Sequence, residues 1–210
     1  MLSEKSKNAL GQAEKLPMPK QKNKKKKKQI LQVIAHLFAS RGYHNTSMRE
    51  IARELGMNQS SLYHYFKSKE EALFKLMNDA MDDALPTLEE ICTADLSSED
   101  KLNTVLGFYT RYYAGDQDRL ILLVNEKNTL SEPYRSRLVQ KERRYVRLFK
   151  GIFKDLADQG RMKEVPPSVA IFAFFGMVHY TIKWYDKEGQ VGLDELANSF
   201  LEIFTKGILR

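Results

Sequence analysis

An all-α fold is what this sequence predicts, and three observations predict it. From Gln29 onward apolar residues recur at the i, i+3, i+4 spacing of amphipathic helices, beginning with Ile30, Val33, Ile34, Leu37 and Phe38. Helix-start signals crowd the N-terminal third, and glycines and prolines fall between the later periodic stretches. No strand-like alternation of useful length occurs. The 210 residues are enough for a small domain followed by a larger one.

Charge divides the chain in the same way. Residues 1–69 hold fifteen Lys/Arg against four Asp/Glu, a formal +11, and residues 70–210 hold nineteen against twenty-three, a formal −4. A basic front and a mildly acidic remainder fit a front that meets a polyanion. A solvated lysine-rich tail on a neutral globule fits the charges equally well.

Taken in order, residues 1–28 are polar, carry Pro17 and Pro19, and include five consecutive lysines, Lys24 to Lys28. Such a segment buries too little apolar surface to offset its ordering entropy, so a disordered arm is expected, with part of it extending the first helix at low population. Residues 29–75 form the first expected domain. Its first helix closes at Gly42, the position that favours glycine after a helix end.

Three helix starts follow. Ser47-Met48-Arg49-Glu50 reads as a capping box, in which the serine oxygen accepts from the N–H three residues on and the glutamate reaches back. Ser68-Lys69-Glu70-Glu71 reads as a second, and Asn58 suits the N-cap of a short helix from Gln59. Gly56 stands where the helix after Ser47 must stop and turn. Ile51, Ala52 and Leu55 would line the inner face of one short helix, and Leu62 and Phe66 that of the next. A turn of this length between two such helices is a helix-turn-helix. Its second helix would show Gln59, Ser60, Ser61, Tyr63, His64 and Tyr65 outward. Small polar tips, an imidazole and phenols suit a helix entering a major groove, and Lys67 and Lys69 after it suit phosphate.

These residues resemble a known family. Gly42-Tyr43, Thr46 to Ala52, Leu55-Gly56-Met57 and Ser61 to Glu70 are similar, without a gap, to the N-terminal domain of TetR-type repressors, over about Gln29 to Met77. The resemblance implies an all-helical subunit of nine to ten helices, a homodimer on a palindromic operator, and release from DNA by a small effector. It implies further that Thr46 and Ser47 meet phosphate, that Gln59, Ser60, Ser61, Tyr63 and His64 lie on the recognition helix, and that Tyr63 and Lys69 are phosphate-binding. Lys24, Lys25, Lys26, Lys27 and Lys28 exceed what the family requires and are expected to act as an arm adding salt-sensitive affinity.

Residues 76–210 form the second expected domain, for effector binding and dimerisation. Helices are expected near 69–92, 98–114, 118–130, 133–159, 168–187 and 193–208, with a kink or break at Pro86. Aromatic residues at helical spacing are first of all core. A pocket needs such a wall plus a few polar tips, and Tyr109, Tyr113, Asn125 and His179 could supply them. His179, in so apolar a run, also reads as a hydrogen-bonded core residue. The stretch His179 to Tyr185, then Gly189 and the helix from Leu193, resembles the end of TetR-type regulators of fatty-acid, steroid or aromatic-acid breakdown. That resemblance implies an acyl-CoA thioester as effector and dimerisation through the last two helices.

Several classes are disfavoured. The single cysteine, Cys92, allows no intrachain disulfide and fits a reducing cytoplasm. The N-terminus is too polar for a secretory signal, and the run Val169 to Ile182 is too short to span a bilayer. No glycine-rich phosphate loop or Cys/His cluster occurs, so neither a cofactor nor catalysis is expected. Two rivals to a ligand-responsive repressor stay open: a non-specific nucleic-acid or nucleoid-binding protein, and an enzyme or carrier for an acyl thioester.

Overall fold

Nine α-helices and two 3-10 turns account for the residues that the computed structural model describes, 19 to 209, with backbone alone for 19 to 24. No strand occurs among them, only an isolated bridge between Met162 and Leu209. None of these helices is long and apolar enough to cross a membrane.

α1 (Pro19–Arg41) buries Ile30, Ile34, Leu37 and Phe38, the residues its periodicity marks. It starts well before the expected first domain, so the expectation of a disordered arm over 1–28 holds for none of residues 19–28. Residues 1–18 lie outside the described residues. Elongation is the reason: once the apolar half is packed, each added lysine, a good helix former, extends an existing helix rather than nucleating one. Lys27 also stands over the Phe66 ring, 5.0 Å from its centroid. Gly42 ends the helix at φ +87°, which a side chain would resist.

α2 (Met48–Glu54) and α3 (Gln59–Tyr63) make the helix-turn-helix, and α4 (Lys69–Thr93) follows. α4 is continuous through Pro86, which lies on its solvent face. There the carbonyl four residues back can turn to water, while Ala84, Leu85 and Leu88 stay buried on either side. The helix also runs unbroken across residue 75, where the two expected domains would meet.

α5 (Ser98–Gly115) packs along α9 (Leu193–Ile208), α4 against α7 (Tyr134–Asp158), and α1 against α6 (Gln117–Asn125). The helix expected over 118–130 divides at Glu126 into α6 and a 3-10 turn, Lys127–Thr129. The Thr129 hydroxyl donates to the Glu126 carboxylate at 2.9 Å, and Lys127 turns away to Glu142 at 2.8 Å. The helix expected over 168–187 is α8 (Pro167–His179) and a 3-10 turn, Tyr180–Lys183. Buried Thr181 donates to the Val178 carbonyl at 2.6 Å, and this local bond tightens the last turn.

Candidate functional site

Three side-chain caps build the N-terminal face. The Ser47 hydroxyl accepts from the Glu50 N–H at 3.2 Å, and the Glu50 carboxylate accepts from both the N–H and the hydroxyl of Ser47 at 2.7 Å. Those bonds hold the Glu50 carboxyl below its ordinary range. Asn58 Oδ1 accepts from the Ser61 N–H at 2.7 Å and starts α3. The second expected box forms differently. Ser68 caps Glu71 as expected, but the Glu71 carboxylate reaches back to the N–H of Lys67, not Ser68. Between α2 and α3 the chain turns at Gly56, φ +62°, and Ile51, Ala52, Leu62 and Phe66 are buried beneath.

The opposite face is polar and open. Gln59, Ser60 and His64 are exposed, Ser61 is half-buried, and Tyr63 is 44% exposed. Lys26 and Lys27 of α1 border a groove of about 730 Å³ shared with Asn58, Ser61 and His64. Lys25 and Lys28 are exposed nearby in sequence, while the side chain of Lys24 lies outside the described residues. Lys69 is held: its ammonium donates to the Tyr43 carbonyl at 2.9 Å and sits 4.2 Å above that ring. Burial there lowers its pKa. Thr46 does not belong to this face. It is 2% exposed, and its hydroxyl donates to the Gly42 carbonyl at 2.9 Å, bracing the turn after α1.

In the larger part a cavity of about 840 Å³ opens between α4, α5, α6, α7 and α8. Met81, Tyr109, Tyr113, Tyr145 and Phe175 form its buried wall. Two hydroxyl networks cross that wall. Tyr113 donates to the Tyr145 oxygen at 3.0 Å and Tyr145 to the Met81 carbonyl at 2.9 Å. Tyr109 meets His179 Nε2 at 2.9 Å. Burial pushes the phenols of Tyr109 and Tyr113 well above their ordinary value. Burial, and then the Lys127 ammonium, bring His179 down to about 4.

Toward solvent the lining changes character. Lys127 and Glu142 form an ion pair at 2.8 Å, and Arg143, Arg147 and Lys150 stand along α7 at the mouth. Sequence reasoning missed this cationic rim. Its signal was present as basic residues at 143, 147 and 150, spaced four and three apart beside an apolar face. Of the expected pocket residues, the structure brings Tyr109, Tyr113 and His179 together but not Asn125. Leu123, Val124 and Lys127 share the inward side at helical spacing, and Asn125 is rotated out to solvent.

The fold and both faces can now be set beside known proteins. Residues 30–76 match the family model described as bacterial regulatory proteins, tetR family. Residues 95–208 match the tetracyclin repressor-like, C-terminal domain. The chain belongs to the TetR family. As a TetR-family member it is a ligand-responsive, DNA-binding transcriptional regulator. Among relatives, the fatty acid metabolism regulator protein of Bacillus subtilis (strain 168) is 27% identical over 182 residues, 86% of this chain and 94% of that one. The HTH-type transcriptional repressor KstR2 of Rhodococcus jostii (strain RHA1) is 25% identical, covering 86% of this chain and 89% of that one. Among solved structures, AibR in complex with isovaleryl coenzyme A and operator DNA superposes with a TM-score of 0.76 at 28% identity, covering 84% of this chain and 96% of that one. The helix-turn-helix lies within the N-terminal match, and the cavity lining other than Met81 within the C-terminal one.

Proposed function

We propose that the protein is a one-component repressor that holds a palindromic operator as a homodimer and releases it when an acyl-CoA thioester enters the cavity. The observation that carries this reading is the polarity of the cavity: tyrosines, Phe175 and Met81 within, and Arg143, Arg147 and Lys150 at the rim. An acyl-CoA has the complementary shape, an apolar tail and a polyanionic head, and guanidinium groups bind phosphate well. The isovaleryl-CoA held by AibR and the fatty-acid role in the name of the Bacillus relative support the same class. The protein would work by binding alone, in the cytoplasm with its DNA.

The two-fold would form on α8 and α9. Phe172, Trp184 and Ile203 are 60, 53 and 65% exposed, more apolar surface than an isolated subunit normally leaves to water. DNA contact would come from Ser47, Gln59, Ser60, Ser61, Tyr63, His64 and Lys69, with Lys25 to Lys28 beside them. The expectation for the Thr46 side chain is withdrawn, since its hydroxyl is committed inside the protein.

The test is binding of the purified protein to its own promoter region, with and without a panel of acyl-CoA thioesters, at two salt concentrations. Selective binding abolished by one thioester supports the whole reading. Selective binding indifferent to all of them overturns the effector class, and equal binding to all DNA overturns the repressor.

A further inference from the structure

On the inner wall the imidazole of His179 has one ring nitrogen left over. Tyr109 Oη lies 2.9 Å from His179 Nε2 and has no other partner among the described residues. The tautomer of the ring sets the direction of this bond, and a donating phenol has no other acceptor among the described residues. With the phenol donating, Nε2 is the bare nitrogen of a neutral ring and the hydrogen resides on Nδ1. The ring is neutral at ordinary pH because burial disfavours its charged form. Tyr113 and Tyr145 do not compete, since they pass their own protons on to the Met81 carbonyl.

Nδ1–H makes no hydrogen bond to the described residues, and it is not sealed away. Among the described residues the only sealed side-chain polar atom without a partner is Tyr185 Oη. His179 lines the cavity beside Tyr109 and Lys127, the space that the effector would fill. An effector that is purely hydrocarbon at this point would strip water from the donor and leave it unpaired. One that brings an acceptor oxygen would not.

We infer that His179, oriented by Tyr109, is a specificity-determining donor that takes a carbonyl oxygen of the effector. The inference rests on the acyl-CoA reading above. That oxygen has two sources of the same chemistry, the thioester carbonyl itself or an oxo group further along the acyl tail. Tyr109 is the positioning residue: its hydroxyl fixes which nitrogen of the ring carries the hydrogen.

Three compounds test this by calorimetry on the full-length protein: octanoyl-CoA, its thioether analogue S-octyl-CoA, which lacks the carbonyl, and 7-oxooctanoyl-CoA. Wild type is expected to bind at least one carbonyl compound about tenfold more tightly than the thioether, the effect of one unpaired buried donor. Preference for octanoyl-CoA assigns the thioester oxygen, and preference for 7-oxooctanoyl-CoA alone assigns the tail. In His179→Gln, which keeps an amide near Nε2 and nothing at Nδ1, the ratio should fall to about one. His179→Asn, which returns a donor near Nδ1, should recover part of it. Should His179→Gln fail to fold, Tyr109→Phe keeps the imidazole, frees its tautomer, and should lower the same ratio. Equal binding of all three compounds by wild type, or an undiminished ratio in the variants, overturns the inference and leaves the effector class standing. Binding of none of them overturns the effector class and the inference together.

Discussion

Glu70, in the first turn of α4, accepts two hydrogen bonds from Ser131, from its N–H at 2.6 Å and its hydroxyl at 2.7 Å, although the two residues are 61 apart in sequence. The bond ties the end of the helix-turn-helix to the loop before α7, next to Lys69. It holds the Glu70 carboxyl below its ordinary value of 4.5 by stabilising the ionised form. A depressed carboxyl contributes stability above its unfolded value and loses that contribution as pH falls through its folded value. Thermal unfolding midpoints measured between about pH 5 and pH 3 should therefore fall more steeply in wild type than in Glu70→Gln. Parallel curves would show that the link contributes nothing.

The turn between α2 and α3 gives two separable costs. Asn58→Ala removes the cap on Ser61 and should cost about 1 kcal/mol in urea unfolding. Gly56→Ala should cost about 1–2 kcal/mol for a different reason. The backbone there is left-handed at φ +62°, while a Cβ would meet no neighbour within 4 Å, so the penalty is conformational and not a clash. Gly56→Asn, which tolerates that region better, should recover part of it.

On DNA, Tyr63→Phe should weaken binding to the operator and to unrelated sequence alike if Tyr63 meets phosphate as the family resemblance implies. Gln59→Ala should instead narrow the gap between the two, and equal discrimination before and after would remove Gln59 from base readout. Replacing Lys25, Lys26 and Lys28 with alanine keeps the helix. It should flatten the salt dependence of binding by about one unit of slope for each phosphate that the arm no longer neutralises. An unchanged slope would show that these lysines stay clear of the duplex.

At the cavity rim, Arg147→Ala should weaken binding of a CoA ester by about tenfold, the value of one charge-assisted bond to phosphate. Affinity for operator DNA without effector should not move. A matching loss for the free fatty acid would mean that Arg147 does not read the phosphates.

For the dimer, Ile203→Glu places a charge on the most exposed apolar position of α9 and should yield monomers in sedimentation velocity. An unchanged dimer would put the two-fold elsewhere.

Local chemistry made much of this fold legible. Ser47, Asn58 and Ser68 each announce a helix start, because a cap is a bond within three residues. The buried faces of α1, α2 and α3 follow from spacing alone. Contacts between distant segments were not legible. Nothing near Glu71 in sequence shows that Glu70 is drawn to Ser131, or that Lys127 leaves its helix for Glu142. Thr46 fits the phosphate-facing pattern by residue type, yet the turn at Gly42 claims its hydroxyl. Asn125 fits a pocket tip by polarity, yet the helical phase of α6 turns it outward. The extension of α1 to Pro19 escaped composition because helix elongation borrows its nucleus from residues a full turn or more away.

The unbroken course of α4 has a mechanical consequence. Lys69 at its start and Met81 on the cavity wall are twelve residues apart on one rod, about 18 Å by helical rise. A tilt of about five degrees pivoting at Met81 would carry Lys69 through about 1.6 Å over that arm. In a two-fold assembly both recognition helices would swing at once, so their separation would change by up to about twice as much. Half-sites about 34 Å apart offer little slack for such a change in spacing. A swollen cavity could then break the grip on DNA as a pair of callipers loses its gauge, with neither jaw changing shape.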